Sequence, residues 1–262
     1  MSAQLGWSRI WQGRSYDLGR MTLPELWRAY ATYPAILLYV GTGLAASLVA
    51  VETARRWTDI AWPVLALLVL YPFVWYLIHR FILHGRWLYK LGWTAALWKR
   101  IHFDHHQDPH RLEVLFGAPG NTVPTIAVVT LPLGYAVADW SGAAAALAAG
   151  LFTTCVYEFI HCIQHLNYKP KSRLVQRLKR DHLAHHFHNE TGNYGIVSFA
   201  PDRVLGTYYR QAKDVPKSPT VYNLGYDRDA ARHYPRVMEL TGAPPRNRPP
   251  SASGKSDTKR GQ

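Results

Sequence analysis

The sequence predicts an all-α integral membrane protein, with about four transmembrane helices arranged as two hairpins beneath a cytoplasmic helical cap. Three observations support this fold class: four long uncharged stretches, basic residues concentrated in the flanking segments, and histidine motifs just outside the stretches. The 262-residue chain has a net charge of +13 and is 48% hydrophobic. This composition argues against a chain disordered throughout. The charge alone would also suit nucleic acid, but the basic residues lie beside membrane segments and in a tail.

The uncharged stretches cover residues 33–51, 60–78, 114–138 and 141–157. Each has close to the ~20 residues that a helix needs to cross a bilayer. Only Asp139 and Trp140 separate the last two, which predicts a helical hairpin with a very short turn. Three prolines interrupt the third stretch and leave open a re-entrant or interfacial start to that crossing. A soluble fold with four buried helices is the alternative, but four such stretches would be unusual in a basic soluble chain.

The basic residues predict the orientation of the chain. All but two of the 30, Arg55 and Arg56, fall in segments 1–32, 79–113 and 158–262. The positive-inside rule places these segments, and with them both termini and every histidine, on the cytoplasmic side. We therefore divide the chain into an N-terminal cytoplasmic or interfacial segment (1–32), a membrane domain (33–210), a C-terminal cytoplasmic extension (211–242) and a disordered basic tail (243–262).

Histidine is the most informative residue type in this chain. Ten of the 13 histidines fall in four short motifs. Residues three or four apart on a helix share a face, so three of these motifs can direct their imidazoles at one ion. The remaining pair, His79 and His84, is five apart, so it either needs a distorted turn or straddles the site. Neutral imidazole is a ligand for zinc, copper, iron and nickel, and ten of them suggest two ions in a crowded site within the cap. The candidate ligands are His79, His84, His102, His105, His106, His161, His165, His182, His185 and His186.

Other polar residues near these motifs are candidates for orienting the imidazole N–H groups. Each of them has an alternative role as a surface residue or a helix cap, and for His188 a pocket role is a further possibility. His110 and His233 fit no motif and are predicted to be surface residues. The orienting candidates are Asp104, Glu158, Asp181, His188, Glu190 and Asn193.

The order of the four motifs resembles the fatty acid hydroxylase and sterol desaturase superfamily of histidine-motif membrane di-iron oxygenases. Residues 157–161 (YEFIH), 193–196 (NYGI) and 202–207 (DRVLGT) resemble that family's sequence around the third and fourth motifs. The spacing within the first motif, and between the second and third, is most similar to fatty acid 2-hydroxylases. The resemblance covers about residues 60–210.

The resemblance implies two iron ions held by the ten histidines, with zinc possible in purified samples. It implies O2-dependent attack on an unactivated C–H bond of a membrane lipid, chiefly hydroxylation, with desaturation as a close relative. Residues 33–210 would then be a membrane hydroxylase domain. No cytochrome b5-like domain is recognised ahead of it, so we expect electrons from an external NAD(P)H-linked donor through a separate cytochrome b5-like or ferredoxin-like protein. Acyl lipids, sterols, carotenoids and alkane-like lipids all remain open as substrates.

Two functions of other classes stay in view. A zinc-dependent membrane lipid hydrolase could also use histidine ligands, but it would need fewer of them and a nearby carboxylate as general base. A metal carrier would be expected to place its ligands inside the crossings, whereas these motifs lie outside the uncharged stretches. No nucleic-acid partner is expected.

Overall fold

The computed structural model describes residues 16–116 and 119–248. All the regular secondary structure in this part of the chain is helical, and its single β-type pairing is an isolated bridge between Asp17 and Arg111. The predicted all-α class is confirmed. In chain order the helices are α1 (Leu23–Ala31), α2 (Pro34–Thr53), α3 (Thr58–Leu77), α4 (Gly92–Trp98), α5 (Asp104–Gln107), α6 (Leu112–Leu115), α7 (Pro119–His165), α8 (Arg173–Phe187), α9 (Ala200–Val204), α10 (Arg228–His233) and α11 (Arg236–Thr241).

Three helical segments are long and apolar enough to cross a membrane: Pro34–Thr53, Thr58–Lys90 and Leu112–His165. The first two coincide with uncharged stretches 33–51 and 60–78. Their outward-facing side chains are large and apolar; Leu48 on α2 and Val69 on α3, for example, are at least 60% exposed. Contiguous apolar surface of this kind suits lipid rather than water.

Helix α7 contains the fourth stretch and the third stretch from Pro119 onward, and it turns back on itself in the middle. Its backbone leaves the helical region at Ala138 and Asp139, where Asp139 has a φ of 48°. Gly134 before the turn and Gly142 after it approach each other closely. A methyl group on Gly134 would lie 2.1 Å from the Gly142 carbonyl oxygen. Gly150 packs against Thr130 further along. The two arms of α7 are therefore antiparallel, as the short turn at Asp139 predicted.

The prolines of the third stretch do not interrupt its helix, because α7 starts at Pro119 and continues through Pro124 and Pro132. Helices α2 and α3 both pack along α7. This arrangement brings the C-terminal end of α3 beside the C-terminal end of α7, and each of these ends carries a histidine motif.

The C-terminal extension packs against the segment that leads to the second histidine motif. Trp98 and Phe103 form a buried cluster with Leu224, Tyr226 and Val237. Burying each such side chain contributes about 1.5–3 kcal/mol. Residues 211–242 are therefore part of the wall around the histidines. Residues 1–15 and 249–262, within the predicted N-terminal segment and tail, lie outside the described residues, and the domain boundaries stay predictions.

Candidate metal centre

The four histidine motifs converge where α3, α5, α7 and α8 meet. Their ten imidazoles form two groups, and within each group one nitrogen from every ring lies within 4.8 Å of the others. All are buried except the half-buried His84. The first group is His79, His84, His102, His106 and His185, and the second group is His105, His161, His165, His182 and His186.

The motifs of α5 and α8 are each divided between the groups. On an ideal helix residue i+4 lies about 40° from residue i, whereas residue i+3 lies about 60° to the other side. The outer two histidines of each motif therefore join one group and the middle one joins the other. The ring centroids of His106 and His186, which belong to different groups, are 4.2 Å apart. The two groups thus adjoin as two neighbouring ion sites would.

The first motif depends on a distorted turn, one of the two arrangements that its spacing left open. Residues Ile78–Leu83 form a π-helix, in which the backbone N–H of His84 donates to the carbonyl of His79 at 3.0 Å. The wider turn brings the two rings together, with their Nε2 atoms 3.2 Å apart. A second π-helix, Lys99–Phe103, contains His102. Such turns occur frequently at functional sites.

The nitrogen positions fit metal ions. The Nε2 atom of His102 lies 3.1 Å from that of His79 and 2.9 Å from that of His84. In the second group, Nε2 of His182 lies 2.9 Å from that of His165 and 3.1 Å from that of His161. Nitrogens bound to one ion at about 2.0–2.1 Å have separations of this size.

Several buried imidazole nitrogens also lack a hydrogen-bond partner in the described part of the chain. They include both ring nitrogens of His105 and His186 and Nε2 of His185. Leaving such an atom unsatisfied costs roughly 1–3 kcal/mol, and a bound metal ion would remove that cost. Each group could therefore hold a metal ion, and the donor set of neutral nitrogens suits a first-row transition metal.

Burial favours the neutral imidazole that a metal requires. Loss of solvation, followed by the influence of neighbouring histidines, lowers the pKa of His182 and His186 well below the ordinary 6.5. The same causes lower the pKa of His185 to about 3. These rings are neutral at physiological pH, with a nitrogen lone pair available for a metal.

Backbone carbonyls fix three rings of the first group. The Nδ1–H groups of His79 and His185 donate to the carbonyls of Tyr194 and Gly192, at 2.5 and 2.7 Å. His106 makes the same contact with Val221 at 3.0 Å. Each bond leaves Nε2 for the ion. No residue type signals these three partners, because every residue carries a carbonyl.

A cavity of about 320 Å³ lies against both groups. His79 and His102 of the first group line it, as do His105, His161 and His182 of the second. Its remaining walls are mainly apolar and include Trp75, Ile78, Leu97, Leu115 and Ile196. The arrangement places an apolar chamber, the central cavity, directly beside the imidazoles.

The family model for fatty acid hydroxylase matches residues 64–207, which contain all four motifs. The chain belongs to the fatty acid hydroxylase family. The resemblance inferred from the histidine order is thereby confirmed.

Curated relatives of the chain are lipid hydroxylases. A dihydroceramide fatty acyl 2-hydroxylase of Arabidopsis thaliana is 32% identical over 50% of this chain and 54% of its own length. A ceramide very long chain fatty acid hydroxylase of Saccharomyces cerevisiae is 32% identical over 57% of this chain and 39% of its own length. Human fatty acid 2-hydroxylase is 28% identical over 50% of this chain and 36% of its own length. The matched region thus spans about half or less of these relatives.

The hydroxylase domain of Scs7p has a similar fold. Its structure superposes with a TM-score of 0.60 at 26% identity, covering 70% of this chain and 68% of that one. An all-α membrane hydroxylase fold is therefore shown for this member of the family. The number of membrane crossings and the extent of the cap stay predictions.

Asn193 acts on the first group through the backbone. It has a φ of 54°, and its side chain accepts from the Tyr209 N–H and donates to the Tyr209 carbonyl, both at 3.0 Å. The flanking residues, Gly192 and Tyr194, supply carbonyls to His185 and His79. Asn193 therefore holds the loop whose carbonyls orient two imidazoles.

Two of the predicted acidic residues bind groups other than imidazoles. Asp104 pairs with Lys99 at 2.7 Å. Asp181 pairs with Arg180 at 2.6 Å and accepts from the hydroxyl of Tyr208 at 3.0 Å. The two ion pairs join residues close together in the chain, whereas the Tyr208 contact ties α8 to the segment after α9.

The other predicted residues lie around the rim and wall of the site. Glu190 accepts a hydrogen bond from the Thr220 hydroxyl, and His188 Nε2 contacts the Val215 carbonyl at 2.9 Å. Glu158 is buried in the wall of the central cavity, one turn before His161. The structure thus places one carboxyl group of the predicted set on the chamber itself.

His110 differs from its prediction as a surface residue. It is half-buried, and its Nδ1 contacts the carbonyl of His165 at 3.1 Å. The loop after α5 folds back over the end of α7, which the spacing of the motifs could not show. His233 is exposed, as predicted.

Proposed function

We propose that this protein is a membrane-bound, O2-dependent di-iron hydroxylase that inserts oxygen into an unactivated C–H bond of an acyl lipid. The observation that carries the proposal is the pair of adjoining five-histidine groups opening on one apolar cavity. The ten histidines would be the ligands of the two ions, five for each.

The overall reaction consumes one O2, two electrons and two protons, converts C–H to C–OH and releases one water. No ordinary side chain can break such a C–H bond, so the bound irons would supply the oxygen chemistry. The chain supplies position and environment. Its apolar cavity holds the acyl segment beside both groups and excludes bulk water.

The substrate proposal combines the cavity with the family. Apolar walls fit a methylene chain, and the named relatives are hydroxylases of fatty acyl chains. A sterol, a carotenoid or an alkane-like lipid, and desaturation in place of hydroxylation, are the alternatives within the superfamily.

A separate electron carrier is part of the proposal, and a basic surface supports it. Five exposed basic residues lie between the third and fourth histidine motifs, in the loop after α7 and on α8, with no exposed acid among them. The opposite face of α8 carries His182, His185 and His186, so a carrier bound here would stand near the metals. This surface, which we name the basic patch, comprises Lys169, Lys171, Arg173, Arg177 and Arg180.

The proposed orientation places both termini and the histidines in the cytoplasm, as the basic residues predict. The loop between α2 and α3, with Arg55 and Arg56, would then lie on the opposite side. A membrane-impermeant thiol reagent tests this in vesicles of known sidedness. Cysteines introduced at Arg56 and at Lys213 should react from opposite sides.

Purified protein provides the central test. We expect two irons per chain and, with O2 and a reductant, a lipid product that gains one oxygen atom from isotopically labelled O2. Lipid turnover that needs neither O2 nor reductant would contradict the proposal and favour a zinc-dependent hydrolase, with Glu158 as its candidate base. Zinc alone would be less decisive, because zinc outcompetes ferrous iron at nitrogen sites.

A further inference from the structure

A second hollow adjoins the central cavity, and the aromatic side chain of Trp75 on α3 lines both. This lower pocket, about 20 Å³ in volume, is apolar and lined by residues that include Leu67, Tyr71, Val129 and Gly150. Three residues, Trp75, Ile78 and Thr125, line both spaces. The two hollows therefore lie end to end in one groove.

The lining residues of α3 and of the second arm of α7 indicate the same direction for this groove. Along α3 and the π-helix that follows it, the lining runs from His79 of the first histidine group through Trp75 to Leu67. The eight residues from Trp75 to Leu67 extend about 12 Å. On the second arm of α7 it runs from His161 through Tyr157 to Gly150. The groove thus leads from the histidines into the membrane-spanning part of the bundle.

Trp75 lies at the junction and is braced in place. Its ring stacks on Tyr157, with centroids 5.2 Å apart and planes at 25°. Tyr71 packs below, 6.0 Å from Trp75, and its hydroxyl lies 3.2 Å from that of Thr154. The three packed rings thus lie along both spaces, with Tyr157 lining the central cavity, Tyr71 the lower pocket and Trp75 both.

We propose that Trp75 is the floor of the acyl-chain site and limits the chain length accepted beyond the reacting carbon. The proposal rests on the proposed hydroxylase function and names a specificity-determining residue for it. An apolar chain that passes the histidines must end at the indole, whereas a smaller residue would open the groove toward Leu67. One methylene in an apolar pocket changes kcat/KM by about tenfold or more.

The test compares hydroxylation of saturated acyl lipids of graded chain length in membranes containing each variant. Trp75→Ala should raise the ratio of kcat/KM for the longest to that for the shortest chains by about tenfold or more. Val129→Phe, which refills the lower pocket, should change little alone and reverse the gain in the double variant. Trp62→Ala is the matched control, because Trp62 lies on the same helix and is 58% exposed.

If Trp75→Ala is active and its chain-length profile is unchanged, Trp75 does not limit the chain length. The hydroxylase proposal would be unaffected by that result. If that variant fails to accumulate, Thr125→Phe decides: it fills the same junction from α7 and should shorten the accepted chain, and an unaltered profile would count against the floor. If the wild-type protein hydroxylates no lipid, the hydroxylase proposal fails. Thermal stabilisation by unreactive acyl chains of graded length then tests the floor without turnover.

Discussion

The two histidine groups are held in the fold by different means. In the first group, three rings are fixed by hydrogen bonds to backbone carbonyls of loops at 192–194 and 221. In the second group, Nδ1 of His161, His165 and His182 has no hydrogen-bond partner among the described residues. These rings owe their positions to helix geometry, because His161–His165 and His182–His186 are i, i+4 pairs on α7 and α8.

The difference concerns how far each site depends on distant sequence. Regular helices place the second group with little outside help. The first group needs two π-helical segments and three loop carbonyls, and two of these, the carbonyls of Tyr194 for His79 and of Val221 for His106, lie 115 residues away in the chain. We therefore expect loop substitutions to weaken the first ion site and to leave the second one largely intact.

The largest expected effect is loss of a ligand from either group. His102→Ala, in the first group, and His182→Ala, in the second, should each abolish hydroxylation and reduce the metal content from two ions per chain to about one. Metal analysis of purified protein, together with lipid product analysis, measures both. His233→Ala, which changes an exposed histidine, is the control. Full turnover in either ligand variant would contradict the ligand assignment, and loss of both ions would show that the groups are not independent.

Asn193→Ala should weaken metal binding at the first group and leave metal binding at the second group largely unchanged. Alanine loses both hydrogen bonds to Tyr209 and disfavours the φ of 54°, at about 1–2 kcal/mol for the backbone alone. Chelator competition should show the first-group ion held about 10–100-fold more weakly. Asn193→Gly tolerates the backbone conformation and should lose less. Equal weakening of both ions would remove the distinction between the groups.

Sequence reasoning predicted the second group more completely than the first. The i, i+4 spacing of His161 and His165 is visible in the sequence, and helix periodicity places residues with this spacing on one face. The spacing of His79 and His84 left open whether the turn is distorted or the pair straddles the site. The carbonyls of Gly192, Tyr194 and Val221 left no trace in residue types, since a backbone acceptor is available at every position.

The membrane part followed the same principle. Uncharged stretches predicted α2, α3 and the turn in α7, because hydropathy and length are local properties. The close approach of Gly134 and Gly142 and the fold of His110 onto α7 depend on tertiary contacts. The aromatic floor at Trp75 depends likewise on a partner, Tyr157, from a different helix.

A third prediction concerns the surface next to the second group. Reversing the charge of Lys169, Lys171 and Arg173 should raise KM for an acidic carrier protein by about tenfold at low salt, because charge complementarity guides association. The effect should shrink as ionic strength rises. Turnover driven by a small neutral reductant should remain unchanged. A matched reversal at Arg228, Arg232 and Arg236, outside the patch, is the control, and an equal loss with the small reductant would show damage to the site instead of to docking.

The smallest expected effect tests whether α7 and α8 position the second-group histidines without help from other contacts. The Nζ atom of Lys179 on α8 donates to the carbonyl of Ile163 in the last turn of α7, at 3.3 Å, and to that of Tyr168 in the loop just beyond it, at 3.0 Å. A cation there offsets the partial negative charge of the helix end by roughly 0.3–1 kcal/mol. Lys179→Met keeps the apolar stem and removes the charge, so it should lower the midpoint of thermal unfolding slightly while both ions stay bound.

Lys179→Arg keeps the charge and should restore most of that loss. If Lys179→Met instead released the second-group ion selectively, the expectation that both ions stay bound would be contradicted. The i, i+4 pairs on α7 and α8 would then need an outside contact as much as the first group needs its loop, and the contrast between the groups would be one of degree. Retention of the ion places the stabilising role of Lys179 in the packing of α8 against α7, away from the imidazoles themselves.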